Sequence, residues 1–173
     1  MEDDFKNISN KVNSVLPDDW IGGFELGWSW TEDFERRIYS LYLQGMNSNL
    51  LKLLYDAGYD TGKRLGEGIL SYFELEPRSL KERAYYFDVF LSKIQIVTIK
   101  YSKEEGYRVL TFIGGTQFSR NFKELTGESI CHHTAGLIAG CTKALFNRDV
   151  IVVESRCLAK GDTDCEFRVW VTE

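Results

Sequence analysis

Apolar residues repeat at helical spacing in several parts of this 173-residue chain. The first such stretch follows Thr31, which suits an N-cap, and its apolar positions are Phe34, Ile38, Leu41 and Tyr42. The pattern predicts two or more helices here, with a break near residues 45–49. Residues 78–93 after Pro77 and the Ala- and Gly-rich residues 131–146 predict two further helices.

Three glycines in the predicted second helix are spaced four residues apart: Gly58, Gly62 and Gly66. Residues at this spacing share one face of a helix, and glycine adds no side chain to that face. We therefore expect another element to pack closely against it.

Four segments are typical of β-strands. Residues 94–114 contain two β-rich runs around residues 102–106 and predict a hairpin. The segments "DVIVVESRC" and "CEFRVWV" near the C-terminus predict two more strands. Strands interleaved with helices favour an α+β fold with an antiparallel sheet packed with helices.

Length and composition indicate a single globular domain, because 43% hydrophobic residues fill one core well and two cores poorly. We divide the chain into residues 1–45, an N-terminal extension with the first helix and a candidate dimer arm, and residues 46–173, the main domain.

Charge and hydropathy limit the partners. With 26 acidic and 21 basic residues the net charge is -5, which argues against a nucleic-acid-binding surface. The acidic start "MEDDFKNISN" is unlike a signal peptide, and no run reaches the roughly 18 apolar residues of a membrane span. We expect a soluble cytoplasmic protein without a membrane partner, whose four cysteines are metal ligands, redox groups or core residues.

The segment "ESRCLAKGDTDCEF" places Cys157 and Cys165 on either side of turn-forming residues. If the flanking strands pair, the two thiols come close enough for a metal or a disulfide. Zinc takes about four ligands, so two more are needed. Glu154 precedes Cys157 by three positions, and Cys131 opens the preceding helix, where the helix dipole favours a thiolate.

Using both Glu154 and Cys157 requires an irregular strand. Strand side chains alternate between faces, so positions three apart share a face only across a bulge, here at residues 155–156. His132 and His133 are alternative ligands to Glu154, although successive helical residues diverge by about 100°. Three thiolates and one carboxylate leave no open position for water, which indicates a structural ion.

Two alternatives remain for these thiols: a Cys157–Cys165 disulfide, or reduced half-buried cysteines. Cys141 lies ten residues after Cys131 and on another helical face. We interpret Cys141 as a core residue.

The spacing from Glu154 to Cys165, after a Gly- and Ala-rich helix led by Cys131, resembles the C-terminal half of the vinyl-4-reductase domain family. The stretch "LLYDAGYDTGKRLGEGIL" and the following hairpin are similar to its N-terminal half, so the resemblance covers about residues 50–172. It implies an α+β fold akin to TRAPP vesicle-tethering subunits and haem-NO-binding domains, with a small hydrophobic ligand between helices and sheet.

In the phenol-responsive transcription activators that this family includes, the domain is a sensor with a zinc ion. Their ligand pattern falls here on the four residues that spacing suggests, namely Cys131, Glu154, Cys157 and Cys165. The sequence has no nicotinamide-binding fingerprint, so we do not extend reductase activity to this chain.

The leading hypothesis is a sensor or ligand-binding module for an apolar or aromatic small molecule, with structural zinc. The candidate pocket walls, which suit an ordinary core equally well, are Tyr85, Tyr86, Phe90, Trp30 and Phe112.

Three alternatives remain. One is a redox sensor acting through zinc thiolates, since methanogen regulators are among the proteins that this domain resembles. Another is an enzyme of the vinyl reductase type using His132 or His133 beside the metal, which a closed coordination shell disfavours. The third is an assembly subunit, a homodimer formed through the glycine stripe and the aromatic N-terminal region.

Overall fold

The computed structural model describes residues 34–45, 49–76, 78–93, 98–104, 107–114 and 126–172. The helices are α1 (residues 34–43), α2 (Asn49–Tyr72), α3 (Leu80–Lys93) and α4 (His132–Phe146). The strands are β1 (Thr98–Glu104), β2 (Tyr107–Ile113), β3 (Val150–Arg156) and β4 (Glu166–Thr172). A short 3-10 turn, Leu158–Lys160, connects β3 to β4. These elements confirm the helices and strands that the sequence predicts within the described residues.

The four strands form one antiparallel sheet in the order β1-β2-β4-β3. Leu110 of β2 pairs with Val169 of β4, and Phe112 pairs with Phe167. Because side chains alternate along a strand, these four lie on one face, and all four are buried. The predicted α+β architecture with an antiparallel sheet is therefore confirmed.

The main helix pair packs backbone against backbone. A Cβ atom added at Gly62 of α2 would lie 2.0 Å from the carbonyl oxygen of Leu137 in α4. A Cβ atom added at Gly140 of α4 would lie 2.0 Å from the carbonyl oxygen of Tyr59 in α2. The glycine stripe thus has the close neighbour that its spacing predicts. Since that neighbour belongs to the same chain, the stripe is not available for the predicted homodimer face.

The ends of the helices fix how the chain enters the sheet. Ser79 and Glu82 form a capping box at α3: Ser79 N donates to Glu82 Oε2 at 3.0 Å, and Glu82 N donates to Ser79 Oγ at 3.3 Å. Gly45 has a φ of 83°, within the break predicted between α1 and α2. Asn147 ends α4 in the left-handed conformation, shortly before β3.

Helix α1 belongs to the same core as the rest of the described chain. Tyr39 is buried and packs in the main cluster of apolar side chains. Glu35 and His133 are also buried, and their Oε1 and Nδ1 atoms lie 2.7 Å apart. The boundary at residue 45 and the dimer arm remain predictions, and residues 1–33 lie outside the described part.

A separate search of the described helices concerns the membrane. None combines the length and the hydropathy that crossing a bilayer requires.

Candidate functional site

Three sulfur atoms and one carboxylate oxygen meet where the start of α4 faces the end of β3. One ligand atom from each of Cys131, Glu154, Cys157 and Cys165 lies within 4.8 Å of every other. The Sγ atom of Cys131 is 3.9 Å from that of Cys157 and 3.8 Å from that of Cys165. All three cysteines are at most 1% exposed. The structure therefore brings together the four residues that the sequence singles out.

A bulge in β3 brings Glu154 to the same side as Cys157. The pairing of β3 with β4 shifts register between Glu154 and Arg156, so two positions of β3 pass one position of β4. This shift cancels the alternation that would otherwise separate positions 154 and 157. The irregularity predicted at residues 155–156 is confirmed.

The turn between the two cysteines is held by backbone donors. The N–H of Cys157 donates to Oδ2 of Asp162 at 2.8 Å, and the N–H of Leu158 donates to Sγ of Cys165 at 3.5 Å. Gly161 closes the turn with a φ of 97°, which favours glycine. These bonds fix the spacing of the two thiols before any ion is bound.

The segment leading into α4 is attached to the same turn. The N–H of Gly127 donates to the carbonyl oxygen of Ala159 at 3.1 Å, and Oγ1 of Thr126 donates to that oxygen at 3.0 Å. Cys131 follows four residues after Gly127 as the N-cap of α4, with no hydrogen bond from its side chain to the helix end. Its sulfur is thus positioned by backbone contacts on both sides.

Glu154 is a buried carboxyl. Burial raises its pKa to about 7, while hydrogen bonding with the thiols of Cys157 and Cys131 acts in the opposite direction. Oε2 accepts a hydrogen bond from the backbone N–H of Cys131 at 3.2 Å. Oε1 is buried and has no aligned hydrogen-bond partner among the described residues. An unsatisfied buried oxygen beside three thiols is the arrangement that a cation would complete.

The thiols hold their protons in the absence of a cation. Hydrogen bonding with Cys157 and Cys165, followed by burial, raises the pKa of Cys131 well above its ordinary value. Hydrogen bonding with Cys131 lowers the pKa of Cys157, but its contact with Cys165 and its burial outweigh this and raise it to about 12. Three thiolates and a carboxylate suit zinc in type and number. The residues therefore fit a zinc ion, which would stabilise their deprotonated forms.

The other candidate ligands lie apart from this cluster. Neither His132 nor His133 belongs to the group of four ligand atoms. Nδ1 of His133 is near Glu35 instead, at ion-pair distance but not aligned as a hydrogen bond. Cys141 is buried and free, and burial raises its pKa, which agrees with its predicted place in the core.

A cavity of about 610 Å³ opens among α3, the β1–β2 hairpin, the end of α4 and the end of β4. The apolar and aromatic side chains that line it include Leu80, Ala84, Tyr85, Tyr101, Leu110, Phe146 and Val171. Four cationic residues also line it, namely Lys81, Lys103, Arg108 and Arg148. The cavity has the size and mostly apolar lining of a small-molecule site.

Among the predicted pocket walls, Tyr85 lines this cavity. Tyr86 and Phe112 are buried instead, in contact with Phe73 and Phe87 respectively. Trp30 and the side chain of Phe90 lie outside the described residues. The part that these five residues play in ligand binding stays a prediction.

The cationic residues of the cavity were not predicted. A signal was present in the hairpin, since Tyr101 and Lys103 alternate on β1 as Arg108 and Leu110 do on β2. Residues two apart share a face of a strand, so the register places all four on the face toward α3. Assigning that face requires the partner strand and helix.

The family model of the vinyl-4-reductase domain matches residues 122–170. The chain is 30% identical over 115 residues to the uncharacterized protein MJ0150 of Methanocaldococcus jannaschii, covering 66% of this chain and 64% of that protein. The chain thus spans slightly less than two thirds of the length of this relative.

Two solved structures share the fold at low sequence identity. The phenol-responsive sensory domain of the transcription activator PoxR, crystallised with phenol, has a TM-score of 0.62 at 16% identity, covering 82% of this chain and 74% of that chain. Trafficking protein particle complex subunit 3 from Naegleria fowleri, covalently bound to palmitic acid, has a TM-score of 0.55 at 18% identity, covering 83% and 95%. Residues 122–170 belong to the vinyl-4-reductase domain family, as their cysteine spacing predicts.

Proposed function

We propose that this protein is a small-molecule-binding or sensor module that takes an apolar or aromatic molecule into the cavity beside α3. The observation that carries the proposal is the cavity itself, about 610 Å³ with a largely apolar lining. Ligand sites in proteins have this size and character.

The comparisons support this function. Residues 122–170 match the vinyl-4-reductase domain, and a domain of the same fold responds to phenol in PoxR. Another chain of the same fold is covalently bound to palmitic acid. The fold therefore accommodates apolar molecules in other proteins, and the cavity offers space for one here.

A thermal-shift experiment tests the proposal. We expect at least one of phenol, decan-1-ol and decanoate to raise the melting temperature, because a ligand that binds only the native state stabilises it. Ala84→Trp places a large ring in the cavity and should abolish the shift. Ser71→Trp, on an exposed position of α2, is the matched control and should retain it. The absence of a shift with all three compounds would overturn the proposal.

We also propose that Cys131, Glu154, Cys157 and Cys165 hold a structural zinc ion. The support is the closeness of the four ligand atoms and the unsatisfied Oε1 atom of Glu154. Such an ion contributes folding free energy by joining α4 to the β3–β4 connection. With four protein ligands it has no position for a reacting water molecule, so this site favours a structural over a catalytic role.

A second candidate function is redox sensing at the same cluster. The Sγ atoms of Cys131 and Cys165 are 3.8 Å apart, so a small movement would bring them to bonding distance. Oxidation by peroxide would remove two electrons from two thiolates, form one disulfide and release the zinc, with peroxide reduced to water. Zinc content and free-thiol counts before and after peroxide test this. Unchanged values in both would exclude the switch.

We further propose that the module is a homodimer. Strand β3 is the last strand of the described sheet, and its outward side chains Ile151 and Val153 are 58% and 47% exposed. An uncovered apolar edge strand readily pairs with a second copy. Light scattering after gel filtration should give twice the chain mass, and Ile151→Lys/Val153→Lys should give the monomer. A monomeric wild-type protein would contradict this.

A further inference from the structure

The cavity beside α3 has a charge that the composition of the chain does not predict. Acidic residues outnumber basic residues 26 to 21 in the sequence. Among the described residues that line the cavity, however, four are cationic and none is acidic. The cations come from three separate parts of the fold: α3, the β1–β2 hairpin and the link between α4 and β3. Their convergence is a property of the folded chain.

Two of these cations face each other across the hairpin. Lys103 of β1 and Arg108 of β2 are directly paired in the sheet register, and both line the cavity. Like charges directly opposite each other in a sheet destabilise it. An anion bound between them would remove this repulsion.

The arginines of the cavity are not neutralised by the described part of the protein. Neither Arg108 nor Arg148 forms a side-chain hydrogen bond or a salt bridge with any described residue. Asp149, next to Arg148, is bound to Lys143 at 2.6 Å. Glu104, next to Lys103, lies on the opposite face of the hairpin and binds Arg168. The carboxyl groups nearest in sequence are thus already in use.

The acidic residue of α3 that lies nearest the cavity is also not part of it. Asp88 follows Ala84 by one helical turn and acts electrostatically on Tyr101, but it is not among the lining residues. Burial raises its pKa, which disfavours its charged form. The charge that a ligand meets at the described walls is therefore positive.

We infer that the ligand is an amphiphile: an apolar chain or ring within the aromatic walls, carrying an anionic head group held by Arg108 and Arg148. This inference rests on the proposed ligand-binding function and adds the charge of the ligand. Guanidinium groups bind carboxylates through paired, charge-assisted hydrogen bonds, while the apolar walls take the tail.

The test compares decanoate with decan-1-ol, which share a chain length and differ in charge. Calorimetry should give a dissociation constant at least about tenfold lower for decanoate, because a charge-assisted hydrogen bond contributes that much or more. Arg108→Gln/Arg148→Gln should reduce this preference to about threefold or less while leaving the affinity for decan-1-ol unchanged. Arg37→Gln/Arg64→Gln removes the same charge from exposed helical positions outside the cavity and should keep the full preference.

The outcomes separate this inference from the function on which it rests. Equal affinities for decanoate and decan-1-ol would overturn the anionic head group and leave ligand binding intact. A preference for decanoate that survives Arg108→Gln/Arg148→Gln would overturn the assignment to this cavity. Failure of phenol, decan-1-ol and decanoate alike to bind would instead remove the ligand-binding function itself.

Discussion

The sulfur atoms of Cys131 and Cys165 lie 3.8 Å apart although 34 positions separate them in the chain. Helix α4, strand β3 and the 3-10 turn all lie between them. A cation bound to both sulfurs would close this loop in the native state only, since the unfolded chain seldom holds the ligands together. The relationship makes metal content a direct probe of the fold.

Replacing one cluster cysteine should remove the metal. We expect one zinc per chain in the purified wild-type protein and a loss of at least about tenfold in zinc affinity for Cys165→Ser, because a hydroxyl is a far weaker ligand than a thiolate. Elemental analysis and competition with a chelator measure both. Cys141→Ser is the matched control, equally buried but outside the cluster, and should keep its zinc. Equal loss in both variants would contradict the assignment.

The stability of the metal-free protein should fall as pH rises between about 4.5 and 7. The pKa of Glu154 is raised from 4.5 to about 7 in the folded state, so the native protein holds one proton more than the unfolded chain in this window. This contribution is fully present below the lower pKa and is lost through the upper one, in total about 3 kcal/mol.

Urea denaturation in the presence of a chelator, at several pH values across this window, measures the effect. Glu154→Gln stays neutral and should lack this part of the pH dependence. With zinc bound the sign should reverse, because zinc requires deprotonated ligands and binds more tightly as pH rises. Identical pH profiles for the two metal-free proteins would contradict the prediction.

A methyl group at the α2–α4 contact should be strongly destabilising. Gly62→Ala places its Cβ atom 2.0 Å from a backbone oxygen of α4, so the helices must separate, at a cost of about 3 kcal/mol in the free energy of unfolding. Gly68→Ala, in the same helix but with open space around it, should instead stabilise by up to about 1 kcal/mol. Chemical denaturation compares the two, and equal effects would exclude the packing explanation.

The contact between Glu35 and His133 should couple α1 to α4. Both side chains are buried, and removing one partner leaves the other without compensation, which costs about 3 kcal/mol. Glu35→Ala and His133→Ala should therefore each destabilise the protein, and the double variant should cost clearly less than the sum. Additive effects in this double-mutant cycle would show that the two side chains act independently.

Much of this protein follows from local sequence alone. Helical spacing, β-branched runs and the glycine stripe determine the α+β elements, because the positions that share a face are fixed by the geometry of a helix or a strand. The metal cluster is predictable for a similar reason. Glu154, Cys157 and Cys165 lie close together in the chain around one turn, and strand alternation requires the bulge that the structure contains.

Only the tertiary structure decided the cavity and its charge. Lys81, Arg108 and Arg148 are far apart in sequence, and nothing local marks them as neighbours. Tyr86 and Phe112, which were equally plausible as pocket walls, lie in the core because their elements turn those faces inward. Which face of the hairpin meets α3 depends on long-range packing, so the sequence supplied the aromatic residues and the fold determined which of them line a space.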